Sequence, residues 1–255
     1  MKRFFSVLVC IMLVISTNID AHAGGYIITN EPIVAEEYNN EVEVQLIGNG
    51  IGPGGILPPT DEEKAAAKEQ IDKPVIFENE AMVASTSSWT NLLGYVNFAQ
   101  ETSYYCGPAA WQSALKYLTG IRYEQAEIYR ACAGWNGVTL ANLINYMNSV
   151  QTENNYIFKY DVDANTLKNN IYTGIVSYNA PSLIALEFSV DDVWLFDTDG
   201  LHCVSIYAVK NDKSEFMLAD PWIGFSGSGL AGNPSSYAKS IDELFAAYTA
   251  GGFSY

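Results

Sequence analysis

The apolar residues of this chain change their period partway along it, and that change constrains the fold more than any other feature. In the middle of the chain they recur at helical spacing. Trp111, Ala114, Leu115 and Leu118 fall at i, i+3, i+4 and i+7, one helix face, with Gly120 as a stop signal. A second helix is expected from about Tyr123 to Ala133. A third is expected from about Thr139 to Ser149, with Leu140, Leu143, Ile144 and Met147 on one side. Strand-like runs come later, near Tyr156–Val162, Ser182–Val190, Leu201–Val209 and Glu215–Ala219. The last two flank Lys210 to Ser214, a hairpin connection. Ser240 with Glu243 forms a capping box that starts a terminal helix of about Ile241 to Tyr248. Helices first and an antiparallel sheet afterwards predict an α+β fold for residues 89–255.

The first 88 residues differ in character. Met1-Lys2-Arg3 is basic, Phe4 to Ser16 is apolar, and Ala21-His22-Ala23 is a small-x-small exit. This reads as a signal peptide over residues 1–23, removed after Ala23. The apolar run is too short for a comfortable membrane span, so no stable membrane insertion is expected after cleavage. The expected product is a secreted or periplasmic protein. Residues 24–88 carry twelve acidic residues against three lysines. They include the turning stretch Gly48 to Gly55, a weak strand pattern from Val42 to Ile47, and a linker, Ser85 to Ser88. Thr60 with Glu63 is a second capping box, which predicts a short exposed helix. The segment is either a pro-segment or a disordered acidic leader. With a net charge of −16 and no basic stripe, the chain would repel phosphate, which excludes nucleic acid as a partner.

Histidine is scarce. His22 leaves with the export segment, so any Cys-His or Ser-His chemistry must use His202. Paired-histidine zinc sites are impossible, no CxxC pair exists, and no phosphate-binding loop is present, so neither metal nor cofactor is expected. Asp197 and Asp199 make too short a cluster for a calcium cage. Three cysteines remain: Cys106, Cys132 and Cys203. An odd count leaves at least one thiol unpaired; Cys132 and Cys203 either form a disulfide or are buried free residues. Cys106 is followed by Gly107-Pro108-Ala109-Ala110 and the helical run, and proline suits a first helical turn. Cys106 should therefore stand at a helix N-terminus, where free amides and the dipole favour a thiolate nucleophile. The alternative is a structural cysteine buried before a helix. Gln100, six residues upstream, can reach back as an oxyanion donor together with the Cys106 N–H, or it is a plain loop residue. His202 opens an apolar strand, and alternation turns Cys203 to the other side. Asp220, in Ala219-Asp220-Pro221, can lie beside His202 across the hairpin and hold its ring, or simply end a strand.

Gln100 through Leu118, with Tyr105-Cys106-Gly107-Pro108-Ala109-Ala110 at its centre, resembles the active-site stretch of the bacteriocin-processing, double-glycine peptidase family. The likeness is to its stand-alone members in the papain-like clan. Gly200-Leu201-His202 and Ala219-Asp220-Pro221 are similar to that family's His and Asp blocks, in the same order. The resemblance implies a papain-like fold and a peptide or protein substrate. It also implies roles: Cys106 as nucleophile, His202 as base, Asp220 as its orienter and Gln100 as oxyanion residue. Transporter-fused members cleave after a Gly-Gly pair of a leader peptide. This chain lacks transporter spans and has an export signal instead. It carries its own Gly54-Gly55 pair, either a turn or a site of self-cleavage. Two other functions use the same residues or scaffold: a transglutaminase or amidase, and an inactive secreted binding or adhesion protein.

Overall fold

The computed structural model describes residues 56–74, 88–102, 104–133, 137–188, 200–222, 236–248 and 252–255, all within the unit Val34–Tyr255. The expected signal peptide, Val42 to Ile47, the glycine-rich stretch through Gly55, and Asp197 with Asp199 lie outside the described residues. In chain order the elements are β1 (Ile56–Leu57), α1 (Asp61–Glu69), β2 (Trp89–Asn91), α2 (Cys106–Thr119), α3 (Gln125–Cys132), β3 (Val138–Thr139) and α4 (Leu140–Val150). Then come β4 (Phe158–Lys159), α5 (Ala164–Tyr178), β5 (Ser182–Phe188), β6 (Gly200–Lys210), β7 (Glu215–Ala219), β8 (Ser236–Ser240), α6 (Ile241–Ala247) and β9 (Phe253–Ser254).

Helix α2 starts at Cys106, with Pro108 in its first turn, where a missing N–H costs nothing. It ends at Gly120, whose φ of +73° lets its N–H turn back to Lys116 O. The spacing predicted one apolar face, yet every residue from Cys106 to Leu115 is buried. The reason is tertiary: α3 and α4 pack on α2 from one direction and β6 from another. The buried polar residues are satisfied, since Gln112 Nε2 donates to Tyr123 O and Ser113 Oγ to Ala109 O. Trp111 Nε1 donates to Leu143 O at 2.7 Å and ties α2 to α4.

The second half is an antiparallel sheet in the order β4-β9-β5-β6-β7-β8, with β2 also pairing β6. β6 is its centre. The expected β6–β7 hairpin forms, with Ser205 opposite Ala219, and its turn closes through Lys213 N–H to Lys210 O at 2.8 Å. Both capping boxes form, at Thr60–Glu63 and Ser240–Glu243. Helix α5 was not expected, and it supplies Leu167, Ile171 and Ile175 to a core shared with Ile184, Val204, Ile206 and Phe253 of the sheet. A second core gathers α2, α3 and α4. Among the described residues, no helix is long and apolar enough to cross a membrane.

Candidate active site

Cys106 reaches the site because the helix that carries it lies along β6; Ser205 Oγ donates to Ala110 O across that contact. The N-terminal end of α2 then stands beside the start of β6, where His202 sits. Cys106 and His202 are both fully buried, and Cys106 interacts with the imidazole closely enough to help raise its pKa. The first-turn amides of a helix have no partner within it, so the Cys106 backbone N–H belongs to this end of the helix.

Asp220 comes directly after the last residue of β7, and the hairpin brings it across to His202. Its Oδ1 lies 2.7 Å from His202 Nε2. The same oxygen accepts the Trp222 N–H at 2.8 Å, and Oδ2 accepts the Tyr237 hydroxyl at 2.9 Å. Asn97 Nδ2 donates to the Asp220 carbonyl at 2.7 Å. Trp222 sets its ring edge-on to the imidazole, with centroids 5.5 Å apart.

Gln100 is buried in a loop held from three sides. Its N–H donates to Pro221 O at 2.8 Å, next to Asp220. Gln125, from α3, grips both neighbours: its Nε2 donates to Ala99 O and its Oε1 accepts the Glu101 N–H. The Gln100 Nε2 spends one hydrogen on Thr102 O at 2.7 Å, leaving a second. The structure therefore brings Cys106, His202, Asp220 and Gln100 to one place.

The electrostatics come from burial and pairing. Burial by itself lowers the His202 pKa, but the charge and hydrogen bond of Asp220, with help from Cys106, raise it to about 10. Burial pushes the Asp220 carboxyl up, but His202, the Trp222 N–H and the Tyr237 hydroxyl hold it below the ordinary carboxylate range. The resting site thus holds an imidazolium against a carboxylate. Cys132 and Cys203 are free thiols, not a disulfide. Burial drives Cys132 up to about 12 and, with the charges of Cys106 and Asp220, drives Cys203 well above its ordinary value. Neither is a competing nucleophile. Among the described residues, no group of three or more His, Cys, Asp or Glu could hold a metal ion.

Two residues of the site, Tyr237 and Trp222, were not expected from the sequence. Trp222 was legible in principle, because it follows Asp220 by two residues just past the end of β7. Tyr237 was not: it reaches Asp220 only because β8 pairs with β7, with Tyr237 opposite Leu218.

A search of curated proteins gives no match. Among solved structures, the chain is similar to xylellain, a cysteine protease from Xylella fastidiosa. That match has a TM-score of 0.54 and 9% identity, and covers 79% of this chain and 94% of the other. It is also similar to proCathepsin B S9 from Trypanosoma congolense, with a TM-score of 0.47 and 11% identity, covering 85% of this chain and 97% of the other. The likeness to xylellain gives the fold, which is papain-like. Residues 92–245 match the model of the Peptidase_C39 like family, more than half of the chain, and the chain belongs to that family.

Proposed function

We propose that this cysteine peptidase hydrolyses peptide bonds with Cys106 as nucleophile, His202 as acid and base, Asp220 as its orienting carboxylate and Gln100 as an oxyanion donor. The observation that carries the reading is the buried chain of contacts from Cys106 through His202 to Asp220. Asp220 occupies Nε2, which leaves Nδ1 as the nitrogen that exchanges protons with the thiol. With its proton on His202, the Cys106 sulfur attacks the scissile carbonyl carbon and the carbonyl electrons move onto oxygen. The Cys106 N–H and the second Gln100 Nε2 hydrogen supply the donors for that oxyanion. His202 passes its proton to the departing amine nitrogen, the C–N bond breaks, and a thioester remains. Water then attacks the thioester as His202 takes its proton, and collapse of the adduct expels the sulfur.

The enzyme acts outside the cytoplasm. The basic start, the apolar run and the Ala21-His22-Ala23 exit support export. Cleavage of an unbiased peptide library by the wild type beside Cys106→Ala tests the reaction. Wild type should yield new termini and the variant none, with unchanged circular dichroism. Cleavage that persists in the variant, or incorporation of an added amine with no hydrolysis, would overturn the assignment.

A further inference from the structure

Between β2 and α2 the chain must place Gln100, and its own backbone gives that stretch no regular form. Residues 95–100 are neither helix nor strand, so no ladder fixes their path and their backbone groups bond outward instead. The Phe98 N–H donates to Ser113 Oγ of α2 at 3.0 Å. The Gln100 N–H donates to Pro221 O at 2.8 Å, next to Asp220. The Ala99 carbonyl and the Glu101 N–H both go to one side chain, Gln125, at 2.8 and 2.9 Å. Gln125 therefore holds the backbone on either flank of Gln100.

Glutamine is mostly an exposed residue, but Gln125, at the start of α3, is only 1% exposed. Its amide is fully used. Oε1 accepts the Glu101 N–H, and the two Nε2 hydrogens go to Ala99 O and, at 2.9 Å, to Gln112 Oε1. Gln112 is itself fully buried in α2, and its Nε2 donates to Tyr123 O, just ahead of α3. The two glutamines thus join the helix that carries Cys106, the start of α3 and the loop that carries Gln100. A buried amide that meets both an acceptor and a donor of one loop fixes the loop's direction as well as its distance. Gln100 needs such support. Its Nε2 spends one hydrogen on Thr102 O, and its Oε1 takes no hydrogen bond among the described residues. The side chain is therefore aimed mainly through its backbone. An oxyanion donor must stand about 2.7–3.1 Å from the oxygen that forms, and the partner donor, the Cys106 N–H, rides on α2.

We propose that Gln125, backed by Gln112, is a positioning residue for the oxyanion site, setting Gln100 Nε2 against the Cys106 N–H so that both donors converge on one oxygen. The inference rests on the reading of Gln100 as an oxyanion donor. It gives Gln125 a part in stabilising the tetrahedral adduct and none in forming the thiolate, because its hydrogen bonds reach the Gln100 loop and α2 but not His202 or Asp220.

Steady-state hydrolysis of a library peptide, measured beside alkylation of Cys106 by iodoacetamide, tests this in the full chain. Alkylation consumes the thiolate but forms no oxyanion. Gln125→Met, close in size, removes all three hydrogen bonds. It should lower kcat by about ten- to a hundredfold with KM within about twofold of wild type, while Cys106 alkylates at the wild-type rate. Gln112→Met keeps Gln125 on the loop but cuts its tie to α2, and should lower kcat less in the same pattern. Gln100→Ala should lower kcat by about a hundredfold or more, and adding Gln125→Met to it should slow it no further. An amide needed only for folding would lower the melting temperature and spare the kcat of the folded protein. Wild-type kcat in folded Gln125→Met, or in Gln112→Met should the first variant not fold, would overturn the role. Losses that multiply in the double variant, or an equal fall in alkylation, would overturn it too. A wild type that cleaves no peptide, or full kcat in Gln100→Ala, would instead overturn the proposed function or its oxyanion donor, and the role of Gln125 with it.

Discussion

Asp220 accepts three hydrogen bonds on its two oxygens, from His202, the Trp222 N–H and the Tyr237 hydroxyl. These donors let a carboxylate stay ionised where burial would otherwise neutralise it. The charge in turn holds the proton on His202, whose pKa is raised from 6.5 to about 10. Linkage gives the sign. Protonated His202 stabilises the folded state in full below about pH 6.5, and that contribution is lost as pH rises through about 10. Asp220→Asn removes the charge but keeps the shape. The alkaline limb of kcat/KM should then move down by about 1 to 3 pH units. Tyr237→Phe should not move the limb down, since the carboxylate keeps its charge and loses only a donor that competes with the imidazolium. Profiles of kcat/KM against pH check this, and an unmoved limb in Asp220→Asn would remove that residue from its role. The types and order of these residues were legible in the sequence. That Tyr237 joins them was not, because nothing local to Tyr237 points to Asp220.

Among the elements, β9 depends on one backbone position. Gly252 precedes it at φ +83°, and its carbonyl accepts the Ala185 N–H at 3.0 Å. A Cβ there would meet Phe158 Cε2 at 2.5 Å and Lys159 O at 2.8 Å. Gly252→Ala should cost about 1–2 kcal/mol for the left-handed backbone alone, with the displacement of β4 added. Thermal unfolding should fall by several degrees, about 2–4 °C for each kcal/mol in a chain of this size. An unchanged melting temperature would contradict the close packing of β4 and β9. Elements that announce their own ends were readable: Gly120 stops α2, Ser240 and Glu243 start α6, and Lys210 to Ser214 turns the hairpin. α5 was missed because Asn, Thr, Gly and β-branched residues give it weak helix propensity. Its signal lay in Leu167, Ile171 and Ile175 at steps of four, after Asp163, whose carboxylate accepts the Asn165 and Thr166 amides. Burial of that stripe against the sheet decides the helix.

At the scale of the whole molecule, the proposed export signal covers residues 1–23 and ends ahead of every described residue. If residues 1–23 are removed on export, the exported protein begins at Gly24 and keeps every described element. Intact mass of the exported protein should show that terminus; a chain still starting at Met1 would contradict export. The sequence by itself determined the α+β plan, the thiol at a helix start, the sole histidine after residue 23 and the hairpin that carries Asp220 to it. Each of these rests on interactions a few residues apart, which capping, turn chemistry and period encode locally. Only the tertiary structure decided that Cys106 meets His202 and that β8 brings Tyr237 to Asp220. It also decided that Ile56 packs against Gly107, the residue after the thiol. Those contacts join residues far apart in the chain, and they form because faces built separately must be buried against one another.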